Sequence, residues 1–210
     1  MAGRVVDLDS WGRTDQFRFF RGYQKPHFAI TARVDVTHLM GRRRKAGVSP
    51  YRACLYAIGT GIRAVPELCL RFRGDVVTGC DRIDLSMTVP LPDGNFRRAY
   101  VPFHPHFATF DAEAARLIAE VPADGRLNAN TAEREDLACL SCMPWLDYTS
   151  INNALPHPDD CIPRVNWEKI VEGPVGHCSM AMTLEVHHAL VDGRQVGAFF
   201  AAAEQAPGAI

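Results

Sequence analysis

Residues 184–193 read LEVHHALVDG, which sets two adjacent imidazoles four residues before a turn-forming Asp-Gly pair. An imidazole with a pKa near about 6.5 is the side chain best suited to take and return a proton at neutral pH. To act as a base it must be presented at the end of a rigid element and kept in one tautomer. A carboxylate in the following turn, which glycine permits, can brace such a corner. Met180, Met182, Leu184, Val186 and His188 alternate with Ala181, Thr183, Glu185 and His187, so the spacing predicts a long strand whose two histidines point to opposite faces. Only one of them can serve a given site. Val196, Phe199 and Phe200 then begin an apolar helical face. The order strand, histidine, turn, helix suits a base, and it equally suits a plain strand-to-helix turn with a surface histidine pair.

Other elements must position that corner. Ile30, Ala32, Val34 and Val36 alternate with Thr31, Arg33 and Asp35, the pattern of a half-buried strand. After Pro50, the residues Tyr51, Cys54, Leu55, Ile58, Ile62 and Val65 recur at helical spacing until Pro66 stops them. LCLRFR, DVVTG and LSMTV read as further strands, punctuated by RGD and by PDGN at 92–95, and Phe110, Ala114, Leu117, Ile118 and Val121 predict a second helix. The Pro- and Gly-bearing stretches at 90–94, 122–125 and 156–163 read as loops.

A chain of 210 residues with 47% hydrophobic side chains can bury a sizeable core, and one domain over residues 1–210 is expected. With 23 basic against 24 acidic side chains the net charge is −1, so no overall field calls for nucleic acid or an acidic membrane. An odd count of seven cysteines, an N-terminus without an apolar leader core and the lack of a span-length apolar run point to a cytoplasmic protein with reduced thiols. His104 and His106 in FHPHF, and Cys139 and Cys142 in CLSC, have metal-ligand spacing. Without clustered Cys, Asp or Glu and without a second CxxC, no metal is expected.

The motifs also carry a resemblance. HHALVDG resembles the HHxxxDG signature of chloramphenicol acetyltransferases and their relatives, the dihydrolipoyl acyltransferases and condensation-type enzymes. Trp11 and Arg13 with the aromatic-rich FRFFRGYQKPHFAITARVDVT, then LSCMPW, then IPRVNWEK follow the order of the first branch and extend the resemblance over almost the whole chain. It implies an α/β fold, a mixed sheet covered by helices. It also implies transfer of an acetyl group from acetyl coenzyme A to a hydroxyl of a small molecule such as chloramphenicol, an activity tied to antibiotic resistance. Three copies would assemble with sites at the interfaces, the base meeting the aromatic acceptor pocket across them.

Residue by residue, His188 resembles the family's general base, while His187 would be structural. Asp192 resembles a buried aspartate paired with an early arginine, here Arg13. Ser141 matches a hydroxyl that donates to the oxyanion, Lys169 matches a lysine near the coenzyme tail, and Asn166 stands where a threonine helps position a bound water. Phe19, Phe20 and Phe28 keep the aromatic character of the acceptor pocket. The run GRRRK at 41–45 is either a second contact for coenzyme phosphates or a solvated helix end. Cys139, Asn166 and Pro26 depart from the family pattern. They leave room for a related acyltransferase with another acyl donor, or with an alcohol or amine acceptor in natural-product assembly. A non-catalytic trimer that binds small molecules is the remaining alternative, against which the intact His188, Ser141 and Asp192 set speaks.

Overall fold

The alternating segments form two sheets in the computed structural model, which describes residues 3–46, 48–121 and 134–206. The strands are β1 (Arg4–Val5), β2 (His27–Asp35), β3 (Leu70–Arg73), β4 (Val76–Gly79), β5 (Asp84–Pro90), β6 (Phe96–Pro102), β7 (Leu137–Met143), β8 (Arg164–Glu168), β9 (Val171–Glu172) and β10 (Cys178–His187). The helices are α1 (Thr14–Phe20), α2 (Thr37–Ala46), α3 (Pro50–Ala64), α4 (Phe107–Ala119) and α5 (Gly193–Gln205). The large sheet runs β2-β10-β8-β7-β5-β6, with β9 also paired to β10. It is mixed, because β7 lies parallel to both β5 and β8 while the remaining pairs are antiparallel. A small sheet, β1-β4-β3, stands apart from it.

Strand β10 is the axis of the fold. It pairs along its whole length with β2 on one side and with β8 and β9 on the other, and nine of its ten residues are buried. Its apolar face, Met180, Met182, Leu184 and Val186, joins Val165, Trp167, Leu140, Leu85 and Met87 in one core with Leu55, Ile58 and Ile62 of α3 and Phe199 of α5. The opposite face is polar. It carries the segment between β7 and β8, tied down by two buried carboxylates: Glu168 accepts from the Tyr148 amide, and Glu185 accepts from the amide and side chain of Asn153 at 2.7 Å each.

Local chemistry explains where the helices begin and end. Ser49 caps α3 by accepting from the Arg52 amide at 3.5 Å, and Pro50 fills the first turn, where its missing N–H costs nothing. Asp192 caps α5 with a reciprocal pair of bonds: its carboxylate accepts from the Arg194 amide at 3.1 Å, and its own amide donates to Gln195 Oε1 at 3.3 Å. The strands around Ile30, DVVTG and LSMTV, both helices read from periodicity, and the strand-turn-helix corner at 178–205 are present as expected.

The sequence pattern read β3 and β4 as strands, and it did not reveal α1, α2, β1 or β6. In α2 the reason is compositional, since Leu39 and Met40 are its only large apolar residues and no stripe forms. The basic run at 42–45 lies on this helix, with its side chains outside the described residues, and the loop expected at 122–125 also lies outside them.

Helix α3 meets α5 at Gly61. A β-carbon there would lie 2.8 Å from the Phe199 ring and 2.9 Å from its backbone oxygen. The missing side chain is what lets the two helices approach, so Gly61→Ala is expected to overpack the contact by about 1–3 kcal/mol. For a chain of this size that corresponds to a fall in melting temperature of roughly 2–12 °C. An unchanged thermal melt would show that the helices do not pack this closely.

Candidate active site

The two histidines at the end of β10 occupy different environments, as strand alternation requires. His187 is 2% exposed and is held edge-on between His27 and Phe72, each ring centroid 4.9 Å away. Its Nδ1 accepts from the Ala189 amide at 3.1 Å. Burial, reinforced by the neighbouring His27, pushes its pKa down to about 4. It is therefore a neutral packing group at physiological pH.

His188 lies on the other side of the strand. Its ring stacks face to face on Phe20, with centroids 3.8 Å apart and planes 4° from parallel, and Phe28 flanks it at 4.6 Å. Its backbone amide donates to the Pro26 carbonyl at 2.8 Å, which fixes the chain leaving β10. Nδ1 is buried with no partner among the described residues, so Nε2 is the open nitrogen. Phe19, 61% exposed, packs edge-on against Phe20 and extends the aromatic wall together with Tyr23. One expectation is corrected here. Phe20 and Phe28 meet His188 within one chain, not across an interface, the register of β2 with β10 setting Phe28 opposite Val186, while Phe19 touches Phe20 rather than the imidazole.

Arg13 reaches Asp192 with Nη1 to Oδ2 at 2.7 Å. The arginine side chain is 14% exposed and the aspartate side chain 36%, so the expected buried pair is half open in this chain, and it doubles as the cap of α5. The hydrogen bond from Arg13, and then that from the Arg194 amide, hold the Asp192 carboxyl below its ordinary range. Solvent at the aspartate screens the pair, which leaves a smaller energetic role than a fully buried ion pair would have.

Ser141 belongs to a different surface. Register places it beside Asn166, Asn166 beside Thr183, and Thr183 beside Thr31, a polar row across β7, β8, β10 and β2. Thr183 and Thr31 share a hydrogen bond of 2.6 Å between their hydroxyls. Asn166 is 2% exposed and its Nδ2 is buried without a partner. The Tyr148 hydroxyl is buried beside Thr183, and burial pushes the phenol up to about 12, so it remains a neutral donor. Buried donors left unpaired in a fold are accounted for by water or a ligand. Lys169, past the end of β8, is exposed, and its amide donates to the Leu146 carbonyl at 3.2 Å.

Ser141 and His188 do not meet within one chain. From the level of Ser141 to His187 is four residues along β10 and two strands across, about 13 Å by about 10 Å. His188 then turns to the opposite face, whereas two groups acting on one reacting centre must both lie about 3–3.5 Å from it.

The cysteines of CLSC separate in the same way, Cys139 to the Ser141 face and Cys142 to the other, so they form no pair. His104 and His106 lie with ring centroids 5.5 Å apart, and among the described residues no group of three potential ligands gathers around them or elsewhere. Thr183, Thr31, Tyr148 and the clamp formed by Glu168 and Glu185 escaped the sequence reading. The row they build exists only through strand register, and no local spacing signals it.

Comparison with known proteins follows the same geometry. The family model for chloramphenicol acetyltransferase matches residues 1–203. The chain belongs to the chloramphenicol acetyltransferase family. It is 24% identical over 195 residues to chloramphenicol acetyltransferase 2 of Escherichia coli, covering 92% of each chain. It is 26% identical to a chloramphenicol acetyltransferase of Streptomyces acrimycini, covering 90% of this chain and 86% of that one. A solved chloramphenicol acetyltransferase structure superposes with a TM-score of 0.91 at 29% identity, over 97% of this chain and 99% of the other. The protein is an acyltransferase of this family with its mixed-sheet fold. Among the described residues no helix is long and apolar enough to cross a membrane.

Protonation of His187 makes stability depend on pH. Its pKa is near 6.5 in the unfolded chain and about 4 in the fold, so the unfolded state binds the extra proton between those values. The contribution is complete above about pH 6.5 and is lost as pH falls towards 4, amounting to about 3 kcal/mol. Thermal melts from pH 7 to 4 are expected to fall more steeply for the parent than for His187→Gln. Parallel curves would contradict this role.

Proposed function

We propose that this acyltransferase moves an acetyl group from acetyl coenzyme A to a hydroxyl of a small acceptor of the chloramphenicol type, at a site that two copies of the chain complete together. The observation that carries this reading is the separation of Ser141 from His188. The two residues that resemble the family's oxyanion donor and base sit on opposite faces of one sheet, too far apart to share a reacting atom. A neighbouring copy in a closed ring, a trimer by resemblance, supplies the missing half and makes every site identical. Coenzyme A and an acceptor are the partners the family implies, and a cytoplasmic location remains part of the proposal.

In this mechanism the acceptor hydroxyl gives its proton to Nε2 of His188 as its oxygen attacks the thioester carbonyl. Stacking on Phe20 holds the imidazole in one plane, and accepting at Nε2 requires the ring's own hydrogen on Nδ1, the buried nitrogen. Negative charge then grows on the carbonyl oxygen. The Ser141 hydroxyl of the other copy donates to it, and Asn166 steadies the same region from the neighbouring strand. When the carbon–sulfur bond breaks, the thiolate of coenzyme A takes the proton back from the imidazolium, leaving the ester and the free thiol. In this reading the ammonium of Lys169, which is exposed, meets the coenzyme's charged tail. No acyl-enzyme is required, so both substrates are bound together.

His188→Ala is expected to lower turnover by about 10²–10⁴-fold with little change in the KM for acetyl coenzyme A, and His187→Ala to be milder. Ser141→Ala is expected to cost about 10²–10³-fold. The reverse ranking of the two histidines would overturn the assignment of the base.

Refolding the His188→Ala and Ser141→Ala chains together tests the shared site. With random assembly of equal amounts, about a quarter of the interfaces pair an intact histidine with an intact serine, and activity should return in that proportion. Mixed oligomers that stay inactive would place the whole site in one chain.

A further inference from the structure

On the polar face of the large sheet, next to the row containing Ser141, lies a cleft of about 830 Å³ whose lining includes Arg71, Arg73, Arg98, Arg134, Arg164 and Cys139. Four of these arginines are paired with carboxylates or backbone carbonyls. Arg164 grips Asp160 with two bonds of 2.9 and 3.0 Å, Arg134 pairs with Asp84 and Asp136, Arg73 pairs with Glu135 at 2.7 Å, and Arg71 donates to the carbonyls of Leu68, Leu70, Glu135 and Leu137.

Arg98 differs. Its Nη1 donates to Ser86 Oγ at 3.1 Å and to Cys139 Sγ at 3.6 Å, both neutral, and neither Nε nor Nη2 bonds to any described residue. The guanidinium is thus anchored at one corner, with its two-pronged edge open.

The level of Arg98 in the sheet follows from register. Arg98 lies opposite Thr88, and the parallel pairing of Met87 with Leu140 sets Thr88 level with Ser141. Cys139, against which Nη1 rests, is the preceding residue on the Ser141 face of β7, about 7 Å along the strand. Unlike Arg71, whose donors are met by carbonyls, Arg98 is half-buried with two nitrogens unbonded among the described residues, which is costly unless an acceptor meets them, an anion most strongly of all. Its planar fork matches a carboxylate or a phosphate with two parallel bonds, which the point charge of a lysine cannot do. With Asp159 exposed at the rim and the other carboxylates of the cleft paired, Arg98 is, among the described residues, the guanidinium there whose hydrogen-bond partners are uncharged side chains.

We propose that Arg98 binds an anionic group, a carboxylate or a phosphate, on the acyl acceptor, and so selects acceptors that carry such a group a short distance from the hydroxyl to be acylated. This rests on the acetyl-transfer reading above and narrows its acceptor. The reacting hydroxyl sits at the Ser141 end and the anion in the open edge of Arg98. Cys139, which departs from the family's usual asparagine, acts here as the neutral rest that keeps the guanidinium aimed along the cleft.

The test compares acceptors that differ only in charge: 4-(hydroxymethyl)benzoate, its methyl ester and 4-(hydroxymethyl)phenyl phosphate, with chloramphenicol as a neutral reference. Release of coenzyme A thiol from acetyl coenzyme A is followed for the parent, Arg98→Gln and Arg98→Lys. The parent should favour one or both anionic acceptors over the ester by about 10- to 100-fold in kcat/KM, the worth of a charge-assisted bidentate contact. The ratio should collapse in Arg98→Gln and be intermediate in Arg98→Lys, which keeps the charge and guards against a folding defect, while the KM for acetyl coenzyme A stays at the parent value. A parent that prefers the ester or chloramphenicol overturns the proposal. So does a ratio that survives Arg98→Gln, or a rise in the KM for acetyl coenzyme A, which would assign Arg98 to the coenzyme. If no acceptor releases thiol, chloramphenicol included, the acetyl-transfer reading itself fails, an outcome distinct from acetylation of neutral acceptors alone.

Discussion

The alternation of side chains along β10 is the constraint on which the rest of the structure depends. Because β10 is paired on both sides, its residues cannot rotate, and each is committed to the helix-covered face or to the polar one. Met182, Leu184 and Val186 take the first and build the core; Thr183, Glu185 and His187 take the second. The consequence at the strand's end is chemical. One imidazole is buried and held neutral, and its neighbour is set on an aromatic wall with a nitrogen left open. A one-residue slip would exchange both the core and the two imidazoles, so stability and the presentation of His188 are fixed by the same register.

The polar face is unusual in what it buries. Glu168 accepts from Arg33 at 2.6 Å, from the Ala181 amide at 2.7 Å and from the Tyr148 amide, while Glu185 takes both donors of Asn153. Carboxylates removed from water need this many donors, and supplying them pins a long irregular segment against the sheet. That segment frames the row containing Ser141 and Asn166, so the clamp holds unpaired donors such as Asn166 Nδ2 in place without satisfying them. An isolated chain tolerates such orphans at a cost, and the two-copy site proposed above would give them partners.

Aromatic contact does for His188 what a hydrogen bond does for many catalytic imidazoles. Stacking on Phe20 and contact with Phe28 restrict the ring plane, while the bond from its amide to Pro26 fixes the backbone beneath it. Arg13 and Asp192 sit one layer out. Their pair ties the segment leading into α1, and hence Phe20, to the cap of α5, and so joins the two ends of the chain that form the aromatic corner.

Much of this was legible in the residues themselves. The period-two pattern at 180–188 determined that the histidines diverge, the Asp-Gly pair marked a turn with a carboxylate ahead of a helix, and Pro50 and Pro66 bounded α3, because these depend on local backbone geometry and solvent partition alone. The motif order likewise carried the family. Tertiary structure decided what lies next to what. That the aromatics of 19–28 share a chain with His188, that Ser141 does not, that Asp192 is half open, and that Arg98 rests beside Cys139 with its fork free are all products of strand order and register. Those pairings join residues tens to more than a hundred positions apart, through hydrogen bonds between backbones whose chemistry is the same at every residue, and the sequence of side chains along any one strand does not specify them.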